Sequence, residues 1–118
     1  VSLTSGSFTD YTGLSVAISM NTGEIAHVVA TISVSVATAD DQITARITRN
    51  GTAIGTEQAC TPNKSSTSGV NMVMAIAVTD APSSGTNTYK VQWVNSTSGA
   101  RTIYSVRGRI EVVVSQNT

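Results

Sequence analysis

Strict alternation of side-chain character over eleven consecutive residues constrains this chain more than any other feature. From Ala26 to Val36, Ala26, Val28, Ala30, Ile32, Val34 and Val36 fall on one side of an extended backbone, and His27, Val29, Thr31, Ser33 and Ser35 fall on the other. Successive side chains of a strand point to opposite faces, so this is a long strand with one buried and one mostly polar side. Its apolar side needs a second layer, which the face-to-face packing of two sheets supplies. No segment of the chain shows helical periodicity.

The same logic recurs. Leu14, Val16, Ile18 and Met20 are in register within Gly13 to Met20, and Asn21-Thr22-Gly23 supplies a turn, so this segment is expected to pair with the long strand as its neighbour. Ile43, Ala45 and Ile47 alternate with Thr44, Arg46 and Thr48, and Asn50-Gly51 follows. That dipeptide accepts the positive φ values of a type I′ turn, which predicts a hairpin returning from Thr52. Val70 to Thr79 places Met72, Met74, Ile76 and Val78 on one face and Val73, Ala75 and Ala77 on the other. Both faces are apolar, and one of them is expected to meet another subunit.

After the turn cluster Asp80 to Gly85, Tyr89, Val91 and Trp93 alternate with Lys90, Gln92 and Val94. Thr102 to Val106 and Arg109 to Ser115 read as two more strands, broken near Gly108. The total is about eight, the strand number of a double-sheet jelly roll. The expected fold class is therefore all-β: a two-sheet antiparallel jelly-roll sandwich in a single domain spanning residues 1–118.

Composition sets the classes of partner. Charged residues make up 12% of the 118, against about 25% in an average soluble domain. The seven basic and seven acidic side chains cancel, and neither sign forms a run that could track a phosphate backbone or an anionic lipid surface. Nucleic acid and membrane are not expected partners, and no apolar run has membrane-spanning length. Arg101, Arg107 and Arg109 read as solvated strand charges. The chain opens at Val1 with no basic-then-apolar leader, as expected of a processed product or an excerpt of a longer one.

Chemistry-bearing residues are few. His27 is the one imidazole, and alternation puts it on the polar side of a strand, away from any evident nucleophile; its functional reading is a pH-sensitive contact between subunits. Cys60 has no nearby Cys or His, so neither a disulfide nor a zinc site is expected. Asp40-Asp41, the one adjacent acidic pair, reads as a solvated turn, because hard-cation sites need several converging oxygens. There is no Gly-x-Ser-x-Gly elbow. No catalytic, cofactor-binding or metal-binding residue is assigned, and the chain is not expected to be an enzyme.

Thr61 to Gly69 and Ser96 to Ala100 are polar stretches that read as exposed loops, with Asn63, Lys64, Ser65, Ser96, Thr97 and Ser98 as candidate binding residues. Asn63-Lys64-Ser65 and Asn95-Ser96-Thr97 also match the glycosylation acceptor pattern, as a Ser/Thr-rich chain does by chance.

Four segments carry a family resemblance: Asp10-Tyr11-Thr12-Gly13-Leu14-Ser15-Val16, Thr48-Arg49-Asn50-Gly51-Thr52-Ala53-Ile54-Gly55, Thr79-Asp80-Ala81-Pro82, and Gly85-Thr86-Asn87-Thr88-Tyr89-Lys90-Val91-Gln92. In order and spacing they resemble the C1q-like and tumour-necrosis-factor-like jelly rolls of bacteriophage fibres, spikes and capsid decorations. The resemblance implies a homotrimer on the virion surface, a capsid decoration (cement) protein or the head of a fibre or spike. It implies apolar and aromatic groups buried between subunits, with Tyr89, Val91, Trp93 and Tyr104 as candidates. It also implies a major capsid protein, another virion protein or a host surface receptor as partner.

The alternative is a receptor- or carbohydrate-binding sandwich of a tail fibre or a cellular C1q-like protein. Sugar platforms usually use exposed aromatic faces, and this chain offers few aromatic residues: Phe8, Tyr11, Tyr89, Trp93 and Tyr104.

Overall fold

The computed structural model describes residues 2–3, 7–36, 42–60, 70–95 and 103–116. They form eight strands: β1 (Ser2–Leu3), β2 (Thr9–Met20), β3 (Glu24–Val36), β4 (Ile43–Arg49), β5 (Thr52–Cys60), β6 (Val70–Asp80), β7 (Gly85–Asn95) and β8 (Ile103–Gln116). β1 pairs with β8, β2 with β7, β3 with β6 and β4 with β5, all antiparallel. These nested pairs make one long two-stranded ribbon. Rolling the ribbon sets β8 against β3 and β7 against β4, which divides it into two sheets ordered β1-β8-β3-β6 and β2-β7-β4-β5. This is the jelly roll expected from the sequence.

The strand number agrees with that expectation by a different route. The two segments separated at Gly108 are one 14-residue strand, β8, with a register slip opposite Ser33 and Val34. The short β1 makes up the number. The expected pairing of β2 with the long strand does not form. β3 has both edges occupied, by β6 over eleven residue pairs and by β8 over thirteen, so β2 has no edge left to join and lies in the other sheet. The turn between them is closed by Glu24 N–H donating to Asn21 O (3.2 Å) and Asn21 N–H donating to Glu24 Oε1 (2.5 Å).

The β4–β5 hairpin forms as predicted, with Asn50 at φ 51° and Gly51 at φ 87°. Asn50 also ties it to β7: its Oδ1 accepts Thr88 N–H (2.8 Å), and its Nδ2 donates to Oδ1 of the buried Asn87 (3.1 Å).

The inward faces meet as the alternation requires. Ala26, Val28, Ala30 and Ile32 of β3 and Met74 and Ile76 of β6 pack against Ile43, Ala45 and Ile47 of β4 and Tyr89, Val91 and Trp93 of β7. Each large aliphatic side chain so buried contributes about 1.5–3 kcal/mol.

One irregularity shapes both faces of the second sheet. Asp10 stands opposite Gln92 and Ser15 opposite Lys90, so residues 11–14 of β2 bulge against Val91 alone. Gly13, at φ 87°, permits the bend. Tyr11 and Leu14 turn into the core, where the Tyr11 ring lies 4.8 Å from that of Trp93 and its hydroxyl donates to Ser33 O across the sandwich (2.8 Å). A second tie between sheets sits at the end of β6. The Asp80 carboxylate accepts from Arg49 Nη1 (2.5 Å) and from the Tyr89 hydroxyl (2.7 Å), two residues that face each other across the β4–β7 ladder.

Candidate functional site

With the inner faces committed to the core, the surfaces that the described residues offer a partner are the outer faces of the two sheets, and these differ in chemistry. On β8-β3-β6 the ladder registers set side chains in rows: His27 between Val113 and Thr79, Val29 between Glu111 and Ala77, Thr31 between Arg109 and Ala75, and Ser33 beside Val73. Val29, Val73 and Val113 are 46%, 67% and 63% exposed, and Ala75 and Ala77 are exposed between them. Val29, Val73, Val113, Ala75 and Ala77 form an apolar strip interspersed with Thr31, Thr79, His27 and an Arg109–Glu111 ion pair, and His27 Nε2 shares a hydrogen bond with Ser115 Oγ (2.9 Å).

The outer face of β2-β7-β4 is polar and cross-linked. Arg46 Nε donates to Gln92 Oε1 (2.9 Å), Gln92 Nε2 donates to Asp10 Oδ1 (3.1 Å), and Lys90 Nζ reaches Asp10 Oδ2 at 3.4 Å. The Arg46 guanidinium lies over the Phe8 ring, 3.8 Å from its centre. The hydrogen bond from Gln92 is the main cause holding the Asp10 carboxyl below its ordinary pKa, and the hydrogen bond and charge of Lys90 add to it against desolvation. Asp10 is therefore ionised at neutral pH. Beside this network an open groove of about 410 Å³ is bounded by Asp10, Lys90, Gln92, Thr88 and the Asn50-Gly51 turn. Thr48, the most deeply buried residue of its lining, is 1% exposed, and its Oγ1 has no hydrogen-bond partner among the described residues.

The candidate subunit contacts are redistributed by these findings. Tyr89, Val91 and Trp93 are fully buried inside one sandwich, so their side chains have no area left for a neighbouring subunit, which corrects the expectation that they line a threefold axis. Period-two alternation says that these residues share a face; it does not say whether the apolar layer they meet belongs to the same chain or to another. Tyr104 is part of β8, its backbone opposite Ser2 and Ser35, and its side chain lies outside the described residues. Val73, Ala75 and Ala77 do emerge on an exposed face.

The loop residues Asn63, Lys64, Ser65, Ser96, Thr97 and Ser98, the pair Asp40-Asp41 and the side chain of Cys60 also lie outside the described residues. Of the aromatic residues considered for a sugar platform, Tyr11, Tyr89 and Trp93 are buried and Phe8 is half-buried beneath Arg46.

Asp10, Thr48 and Gln92 carry no sequence signal of a site. Each looks like any polar residue on the solvent side of a strand, and only the ladder register brings them to one groove. Among the described residues, no group of three His, Cys, Asp or Glu side chains is placed to hold a metal ion, and no helix is long and apolar enough to cross a membrane. Compared with known families, curated proteins and solved structures, the chain matches no family model, no curated protein and no solved structure.

Proposed function

We propose that this protein is a homotrimeric structural component of a bacteriophage particle, a capsid decoration protein or the head domain of a fibre or spike. The observation that carries the reading is the exposed apolar strip on β8-β3-β6. Single exposed valines are ordinary on a protein surface; here Val29, Val73 and Val113 share one sheet face with Ala75 and Ala77 between them. Exposed apolar side chains gathered on one sheet face mark an association surface, and around a threefold axis the contact is heterologous, so the strip of each subunit packs against a different patch of the next. The jelly-roll topology agrees with the family resemblance of the sequence, which implies three copies around an axis.

In this reading the mechanism is mechanical and adhesive. Each subunit buries its β8-β3-β6 face against its neighbours around the axis, over the roughly 1,000 Å² or more that a stable interface needs. The partner in this reading is a major capsid protein or another virion protein, or a host receptor, and the polar sequences of residues 61–69 and 96–100 are the candidates for contacting it. The measurement that tests it is native molar mass by size-exclusion chromatography with light scattering, followed by dilution to nanomolar protein. A mass near three chains that persists on dilution is the expected result. A monomer at every concentration overturns the trimer.

A further inference from the structure

We infer that the groove on the outer face of β2-β7-β4 is a binding site for a neutral polyhydroxylated ligand, one or two pyranose rings of a glycan. The groove lies on the sheet opposite the apolar strip, so the inference does not depend on how copies of the chain associate.

Charge comes first. Asp10 is ionised and Lys90 stands 3.4 Å from it, so the two formal charges bordering the groove cancel. A strongly anionic or cationic ligand would have to displace one member of the pair, whereas a neutral ligand can use both.

Hydrogen-bonding capacity comes next. The Asp10 carboxylate takes one bond at each oxygen and keeps lone pairs free. Lys90 has donors beyond the one directed at Asp10, and the Gln92 amide has a second N–H. This sets an acceptor, an amide donor and an ammonium donor side by side. Adjacent hydroxyls of a sugar ring, each able to donate and to accept, complement that arrangement. The volume, about 410 Å³, lies at the small end of the roughly 300–1,000 Å³ of ligand pockets.

Thr48 supplies the independent observation. Its hydroxyl can donate one hydrogen bond and accept two, yet it is buried on the solvent side of the sheet without a partner among the described residues. A buried polar group left unpaired is costly and calls for an explanation. Lys90 sits directly across the ladder from Thr48, its side chain is 42% exposed, and among the described residues its ammonium group has the long contact to Asp10 as its partner. Thr48 and Lys90 line the groove together, so a ligand hydroxyl seated beside the Lys90 ammonium group can complete the missing bond of Thr48.

The test is a titration of the isotope-labelled full chain with glucose, galactose, mannose and N-acetylglucosamine, each carried through the millimolar range and followed by backbone amide shifts. At least one sugar is expected to shift the amides of Thr48, Lys90 and Gln92. Thr48→Val, which removes only the unpartnered hydroxyl, should weaken that binding by about threefold to tenfold and leave the sugar-free protein as stable as before. Asp10→Ala, at an exposed position, should weaken it at least as much. The assignment is overturned if no sugar shifts these amides, if the shifts map elsewhere, or if either variant binds as tightly as the parent. Tighter binding of an acidic sugar such as N-acetylneuraminic acid would overturn the neutral class.

Discussion

A methyl group placed on Gly108 would meet Leu14 Cδ1 at 2.7 Å and Tyr11 Cε1 at 2.9 Å. The bulge of β2 pushes Tyr11 and Leu14 across the sandwich, and the bare backbone of β8 makes room for them. Gly108→Ala should therefore destabilise the fold by about 1–2 kcal/mol, the overpacking cost outweighing the entropy gained by replacing glycine. Chemical denaturation measures this, and the cost of Gly108→Ala should be smaller in a Leu14→Ala background, since the two positions share one space. A Gly108→Ala protein as stable as its parent would show that the plug is loosely seated. The sequence signal at Gly108 was ambiguous for a physical reason: glycine within a strand pattern marks either an interruption or a close approach. The neighbour that decides between them, residues 11–14, lies in the other sheet.

At the scale of elements, Tyr89, Arg49 and Asp80 clasp β7 and β4 of one sheet to β6 of the other. Burial, then the hydrogen bond to Asp80 and that carboxylate's charge, push the Tyr89 phenol well above its ordinary pKa of 10.0, with Arg49 offsetting a part. The folded state thus holds the phenolic proton more tightly than the unfolded chain does. Its contribution is complete below about pH 10, the unfolded value, and fades as pH rises above that toward the folded value. Stability measured by denaturation should fall above pH 10, and Tyr89→Phe should flatten that fall while costing about 1.5–3 kcal/mol at neutral pH. An equally steep alkaline fall in the variant would remove Tyr89 as its source.

Which elements were legible in the sequence follows from how local their determinants are. The inner faces of β3, β4 and β7 and the Asn50-Gly51 hairpin depend on period and on φ alone, and both are written in consecutive residues. The partner of β2 is not. A three-residue turn after an amphipathic strand can close a hairpin or carry the chain to the opposite sheet, and here the choice follows from β6 and β8 filling both edges of β3. The polar groove was illegible for the same reason, because Asp10, Thr48 and Gln92 come together only through the registers of β2, β4 and β7.

For the whole molecule, the apolar strip locates the proposed assembly surface, and a charge placed at its middle should disrupt it. Val29 is exposed at the centre of its row, so Val29→Lys should change the stability of an isolated chain by no more than about 0.5 kcal/mol. If the proposed trimer forms through this face, the substitution should lower the native mass from about three chains toward one, while far-ultraviolet circular dichroism stays unchanged. Retention of the parent mass would move the interface to another face.

The nested ribbon has a further consequence, for cooperativity. Among the described residues, every ladder joins one of β1 to β4 with one of β5 to β8, and none lies within either half. A chain emerging from the ribosome therefore exposes four strands with no partner to pair with until the fifth appears, and only the β4–β5 hairpin can close locally. Neither half is a folding unit. The remaining pairs nest outside that hairpin as far as β1–β8, so each ladder joins residues of both halves and the sandwich is expected to unfold as one cooperative unit.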